Sequence, residues 1–250
     1  RVLATGCNIG EVFDGGYAEY ASVKKESVLL LPENLSLKES MILGTAGLTA
    51  ALCLHRMEQN GQHPDMGPIV VTGASGGVGS IAVSMLSASG YDVMAVSRKK
   101  ESASYLESLG AHSVMSFLDL SLGKGFLEKA RFGGVIDNLG GSVLSQLCAH
   151  VRSWGNVAVV GLALDDQLSM TVMPLILRGV SLLGISSNNC PYILRRKLWK
   201  RIATRLKPKD INKLVYKEVG LEGLVSSFQH VMSGQITGRI LVKLVDDKGD

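Results

Sequence analysis

Residues 69–80, IVVTGASGGVGS, limit what this chain can fold into more than any other stretch: an apolar run enters a glycine-rich turn that passes directly into a helical pattern. Gly73, Gly76 and Gly79 recur at every third residue, which permits a tight turn, close approach of a pyrophosphate and close packing of the new helix on its strand. The first amides of such a helix have no carbonyl one turn earlier, so they are free to face phosphate oxygens. Glycines can also serve only to bend a chain. Here residues 69–71 carry a strand pattern, residues 81–86 a helical one, and residues 92–97 a second strand at the βαβ distance. That context reads as a dinucleotide site.

The second strand ends in Ser97, Arg98, Lys99 and Lys100, where an NAD-preferring site usually carries an Asp or Glu for the ribose 2′-hydroxyl. A carboxylate there repels a 2′-phosphate, whereas a hydroxyl, a guanidinium and an ammonium offer it charge-assisted hydrogen bonds. The expected cofactor is therefore NADPH. The alternative is a solvated basic start to the next helix.

With 250 residues and 46% apolar composition, the chain has core enough for one large or two ordinary domains. Residues 66–91 carry no charge over a membrane-spanning length, but their glycines, serines and threonine fit the strand, turn and helix better, and no membrane segment is expected. Cys7, Cys53, Cys148 and Cys190 stand far apart with no CxxC pair, and the five histidines show no metal spacing, so neither a metal nor a disulfide framework is expected. The cytoplasm is the default compartment. A net charge of +4 is too small to argue for nucleic acid. No signal-peptide pattern precedes the fold, and the opening Arg1 suggests a fragment.

Upstream of the glycine turn, residues 15–31 look extended, with a turn around residues 24–26 and closure by Pro32, and belong to another lobe. Ser36 and Glu39 form a capping-box signature before a mostly apolar, hence buried, helix over residues 41–57. Strands are expected at 113–116, 135–138, 156–162 and 180–186, alternating with helices in a doubly wound α/β pattern. A helix over 222–233 and a strand over 238–245 close the chain, the strand expected to return to the first lobe. Between them, residues 191–209 gather Arg195, Arg196, Lys197, Lys200, Arg201, Arg205, Lys207 and Lys209 around Leu198, Trp199, Ile202 and Leu206. This reads as an amphipathic helix with its basic side in water, attraction of a phosphate-bearing substrate being the weaker alternative.

Several stretches together resemble the medium-chain dehydrogenase/reductases of the zinc-free, quinone-reductase-like type: GGYAEYA at 15–21, GTAGLTA at 44–50, VTGASGGVGS at 71–80 and GRILVKL at 238–244. The runs MILGTAGLTAALCL, SRKKESASYLESLGA and TVMPLILRGVSLLGISS are similar to the acryloyl-CoA reductase branch. The resemblance implies part of a GroES-like catalytic lobe over residues 1–40, an NADP-binding Rossmann domain over 41–215, and a return to the catalytic lobe over 216–250. The chain is expected to begin inside that lobe, without the family's upstream tyrosine motif.

Carried over by position, Thr45 would lie near the nicotinamide, and Ser75, Gly76, Gly77 and Val78 along the pyrophosphate. Ser97, Arg98 and Lys99 would hold the 2′-phosphate, while Asn138 and Leu139, after Asp137, would border the adenosine and ribose. Gly161 and Leu162 match the loop beside the nicotinamide, Ile185, Ser186 and Ser187 its carboxamide edge, and Arg239 a contact from the last strand. Leu162 and Ile185 as plain core, Asp137 as a helix cap and Arg239 as an exposed strand charge are the bland alternatives.

The reaction implied is metal-free hydride transfer from NADPH to an activated carbon–carbon double bond, with acryloyl-CoA the leading substrate, a quinone or enone the alternative, and a homodimer the expected assembly. TGxxxGxG also suits a short-chain dehydrogenase, but YxxxK is missing downstream of it. A non-catalytic NADPH-binding protein is the rival from another class.

Overall fold

The computed structural model describes residues 1–244. Strands β1 (Val2–Ala4) and β2 (Val28–Leu30) pair antiparallel near the start. Helix α1 (Leu37–Gln59) opens with the expected capping box, in which Ser36 Oγ accepts from the Glu39 amide at 3.1 Å and the Glu39 carboxylate accepts from the Ser36 amide at 2.8 Å. Mostly apolar, α1 is largely buried, and its backbone breaks once, at Gly44 (φ 48°). Among the described residues it alone is long and apolar enough to cross a membrane, and most of it lies inside the protein.

From residue 69 strands and helices alternate: β3 (Ile69–Thr72), α2 (Gly77–Ala88), β4 (Val93–Val96), α3 (Ala103–Ser108), β5 (Ser113–Met115), β6 (Phe132–Asp137), α4 (Gly141–Ala149), β7 (Val151–Val159), α5 (Met173–Arg178), β8 (Ser181–Gly184) and α6 (Tyr192–Ile202). The six strands form one parallel sheet in the order β5-β4-β3-β6-β7-β8, the doubly wound order, which reverses between β3 and β6. A strand covered on both faces has no polar side to show, which is why every residue of β3 is buried. On one face Ile69, Val71 and Ile136 pack with α1, α2 and α6; on the other Val70, Val135 and Val157 pack with α4 through Leu144 and Leu147. The uncharged window 66–91 thus divides into β3, the turn and α2.

Strand β9 (Val215–Val219), helix α7 (Leu224–Met232) and strand β10 (Arg239–Val242) complete the described chain. Two expectations need correction. Residues 15–24 form no strand, because a strand needs a partner for its backbone groups and β1 pairs only with the three residues of β2. The closing strand pairs in parallel with β9 of the same closing segment, and its expected last residue, Val245, lies outside the described residues.

The basic side of α6 is not all in water. Arg195 is 1% exposed and donates to the Thr5 carbonyl (2.9 Å), Cys7 Sγ (2.7 Å) and the Glu26 carbonyl. Arg201 donates to Glu58 at 2.7 Å and to His55 Nδ1 at 3.1 Å. Both are held by acceptors from the first lobe and from α1.

Candidate functional site

A cavity of about 800 Å³ opens where the strand order reverses, outside the carboxyl ends of β3 and β6. Its floor is the turn from β3 into α2. A side chain at Gly79 would place its Cβ 2.7 Å from Ala74 Cα and against the Gly73 carbonyl, so only glycine lets α2 sit this close to the strand. The first turn of α2 then presents amides without helical partners toward the cavity.

One wall is the end of β4. Ser97, buried, donates to Ser75 Oγ at 3.1 Å and accepts from the Lys99 amide at 3.1 Å. Ser102 Oγ lies 3.0 Å from Ser97 Oγ and donates to the Lys99 carbonyl at 2.7 Å. The Ser97 hydroxyl is thus committed to holding the backbone, while the Arg98 side chain is exposed at the mouth and the Lys99 ammonium donates to the Ile236 carbonyl. Burial holds Lys99 below the usual lysine range.

A second wall follows β6. Asp137, fully buried, accepts from Thr72 Oγ1 and from the Gly140 amide, both at 2.7 Å; burial nevertheless raises its carboxyl above the ordinary range. Thr72 Oγ1 accepts from the Asn138 amide at 2.9 Å, and Asn138 Nδ2 donates to the Thr72 carbonyl at 2.7 Å, which fixes Asn138 and Leu139 beside the glycine turn. Arg239 closes the site from β10. Its Nε donates to the Ile42 carbonyl at 3.1 Å, and its guanidinium reaches between Gly44 and Gly77; burial lowers its pKa, and Tyr17 opposes that shift.

Of the residues singled out in the sequence, Ser75, Gly76, Gly77, Val78, Ser97, Arg98, Lys99, Asn138, Leu139 and Arg239 line this one cavity. Six lie outside its lining. Thr45 is exposed one residue past the break in α1. Gly161 packs on Asn138, and its amide donates to the Asp137 carbonyl at 3.2 Å. Leu162 is 68% exposed, which removes the plain-core alternative for it. Ile185, Ser186 and Ser187 follow β8, with the Ile185 amide donating to the Val159 carbonyl at 3.0 Å. These groups continue the carboxyl edge of the sheet from β6 to β7 and β8.

The residues missed by sequence reasoning are those facing the glycine turn from across the cavity: Tyr17, Phe117, Ser227, Phe228, Val231 and Ile236. Tyr17 and Phe228 form a ring pair with centroids 6.1 Å apart. The amphipathic pattern of α7 was the one available signal, and it marks an apolar face without saying what that face covers. Among the described residues no three His, Cys, Asp or Glu side chains gather as a metal site would require.

Residues 77–204 match the zinc-binding dehydrogenase family. The chain is similar to the quinone oxidoreductase YhfP of Bacillus subtilis, 47% identical over 98% of this chain and 74% of that protein. It is 39% identical to the acrylyl-CoA reductase AcuI of Ruegeria pomeroyi, over 97% of this chain and 73% of that one. Among solved structures, Escherichia coli K-12 YhdH with bound NADPH superposes with a TM-score of 0.93 at 41% identity, covering 98% of this chain and 75% of that one. The structure of B. subtilis YhfP with bound NAD gives a TM-score of 0.94 at 47% identity, over 97% of this chain and 74% of that one.

Proposed function

Because the chain belongs to the zinc-binding dehydrogenase family, within the medium-chain dehydrogenase/reductase superfamily, we propose that it is an NADPH-dependent oxidoreductase that reduces an activated carbon–carbon double bond, with acryloyl-CoA as substrate. The observation that carries this reading is the meeting, in one cavity, of the α2 amides with the Arg98 and Lys99 cations at the sheet's switch point. A glycine floor against which a Cβ would collide fits a pyrophosphate, and two cations where a ribose-binding carboxylate would otherwise stand fit a 2′-phosphate.

In this assignment Gly76, Gly77 and Val78 with Ser75 bind the pyrophosphate, Arg98 and Lys99 bind the 2′-phosphate on the backbone that Ser97 holds, and Asn138 and Leu139 flank the adenosine ribose. Thr45, Gly161, Leu162, Ile185, Ser186 and Ser187 hold the nicotinamide end, and Arg239 joins the first turn of α2 to the break in α1. NADPH held there would supply the hydride for the β-carbon, and a proton drawn from water would complete the reduction at the α-carbon. Orientation of the two reactants and exclusion of water are the chain's own contribution.

The likeness to YhfP supports a second reading, reduction of quinones or enones on the same scaffold, and its NAD-bound structure makes cofactor choice a necessary control. The open edge of β8 with exposed Ile176 and Leu177 on α5 supports a homodimer, and four free thiols suit the cytoplasm. The deciding experiment follows NADPH and NADH oxidation with acryloyl-CoA and with a quinone panel. Fast turnover of acryloyl-CoA with NADPH is expected. Turnover of quinones alone moves the function to the second reading, and tight NADPH binding without turnover of either overturns both.

A further inference from the structure

We propose that Lys99 is a strap as well as a phosphate ligand: its ammonium ties the loop between α7 and β10 to the end of β4, so that recognition of a 2′-phosphate is transmitted to that loop. The inference rests on the NADPH reading for its second half only.

The root of the strap is rigid. Ser97 Oγ accepts the Lys99 amide at 3.1 Å and Ser102 Oγ donates to the Lys99 carbonyl at 2.7 Å, so both backbone groups of Lys99 are held by side chains. Its tip donates to the carbonyl of Ile236, 137 residues later in the chain. Ile236 and Lys99 both line the cavity, so the contact joins two parts of its wall.

Residues 235–237 form neither helix nor strand, and the loop is bounded by Gly234 (φ 69°) and Gly238 (φ 66°). Gly238 cannot be replaced freely, since a Cβ there would sit 2.8 Å from Tyr105 Oη and against the Leu214 carbonyl. Its amide donates to the Ser75 carbonyl at 2.8 Å, which gives the loop a second tie, to the glycine turn itself, and the next residue is Arg239.

An ammonium has three donors, and Ile236 takes one. The others can reach a 2′-phosphate without release of the carbonyl, and the anion polarises the ammonium and steadies it in place. NADPH therefore favours the strapped loop, while NADH, with a hydroxyl in that position, contributes nothing to it. By linkage the strapped loop in turn favours NADPH, so part of the cofactor discrimination is stored in a segment that follows β4 by more than a hundred residues.

Amide hydrogen exchange over residues 234–240 tests this in the wild type, Lys99→Met and Lys99→Arg, each free, with saturating NADPH and with saturating NADH. In the free proteins Lys99→Met is expected to exchange about tenfold faster than wild type at these amides, the loss of one charge-assisted bond, with Lys99→Arg restoring most of the protection. Amides of β3 and β6 are expected to be unchanged, which separates loss of the strap from unfolding. In the wild type NADPH slows the loop more than NADH does, and in Lys99→Met the two cofactors act alike. Unchanged loop exchange in free Lys99→Met overturns the strap, and equal protection of the wild type by both cofactors overturns its coupling to the 2′-phosphate. Failure of NADPH to bind would sink the NADPH reading but leave the comparison of the free proteins decisive for the strap.

Discussion

At residues 97–100 positive charge borders a large cavity, with Arg98 exposed at its mouth, whereas on α6 the same residue types turn inward and Arg195 is 1% exposed. The first group has its backbone organised by serines, with the Arg98 side chain left exposed and the Lys99 ammonium giving one bond, to the Ile236 carbonyl. The second has its side chains consumed by protein: Arg195 by the Thr5 and Glu26 carbonyls and Cys7, Arg201 by Glu58 and His55. The comparison teaches that a cation is available for binding only when the fold supplies it with too few acceptors, a property of tertiary surroundings and not of composition.

The largest effect expected to sharpen this contrast is on stability. Arg195→Ala strands three acceptors at the seam between α6 and the first lobe and is expected to lower unfolding free energy by about 3 kcal/mol, measured by urea titration. NADPH affinity of the folded variant should stay within about twofold, since the residue lies outside the cavity lining. A variant as stable as wild type would mean that Arg195 belongs with the solvated charges.

Arg98→Ala should behave in the opposite way. Loss of one charge-assisted contact predicts NADPH affinity weaker by about tenfold or more, with NADH little changed and stability within about 0.5 kcal/mol. Calorimetric titration with both cofactors checks it, and equal losses for the two would break the distinction between the basic segments.

The smallest effect is on pH dependence. Burial first, and then the Arg201 and Lys197 charges, hold His55 below its ordinary value of 6.5, against the opposing pull of Glu58. The unfolded chain therefore takes up a proton at this site before the native protein does, so its contribution to stability is complete above about pH 6.5 and falls as the pH drops through that value toward the native one. Urea midpoints between about pH 5 and 8 should show this slope in the wild type and a shallower one in His55→Gln. Identical slopes would place His55 in contact with water rather than in the α1–α6 seam.

Much of the fold was legible from residues that act on close neighbours. The run IVVT followed by glycines at every third position, and Ser36 with Glu39, specify a strand, a turn and a capped helix through contacts a few residues apart, and the structure carries all three. The cavity lining divides along the same line. Ser75 to Val78, Arg98 and Asn138 announce themselves because each follows a recognisable strand, but Tyr17, Phe228 and Ile236 reach the same cavity through segments with no local sign of it.

The sequence by itself determined the periodicity, the turn chemistry and the doubly wound succession, because those depend on hydrogen bonds and steric contacts within a turn or two of each residue. Only the tertiary structure decided that β10 pairs with β9, that α7 faces the glycine turn, and which arginines are spent inside. Arg195 finds its carbonyl partners 190 and 169 residues away, and no local pattern encodes a partner at that distance.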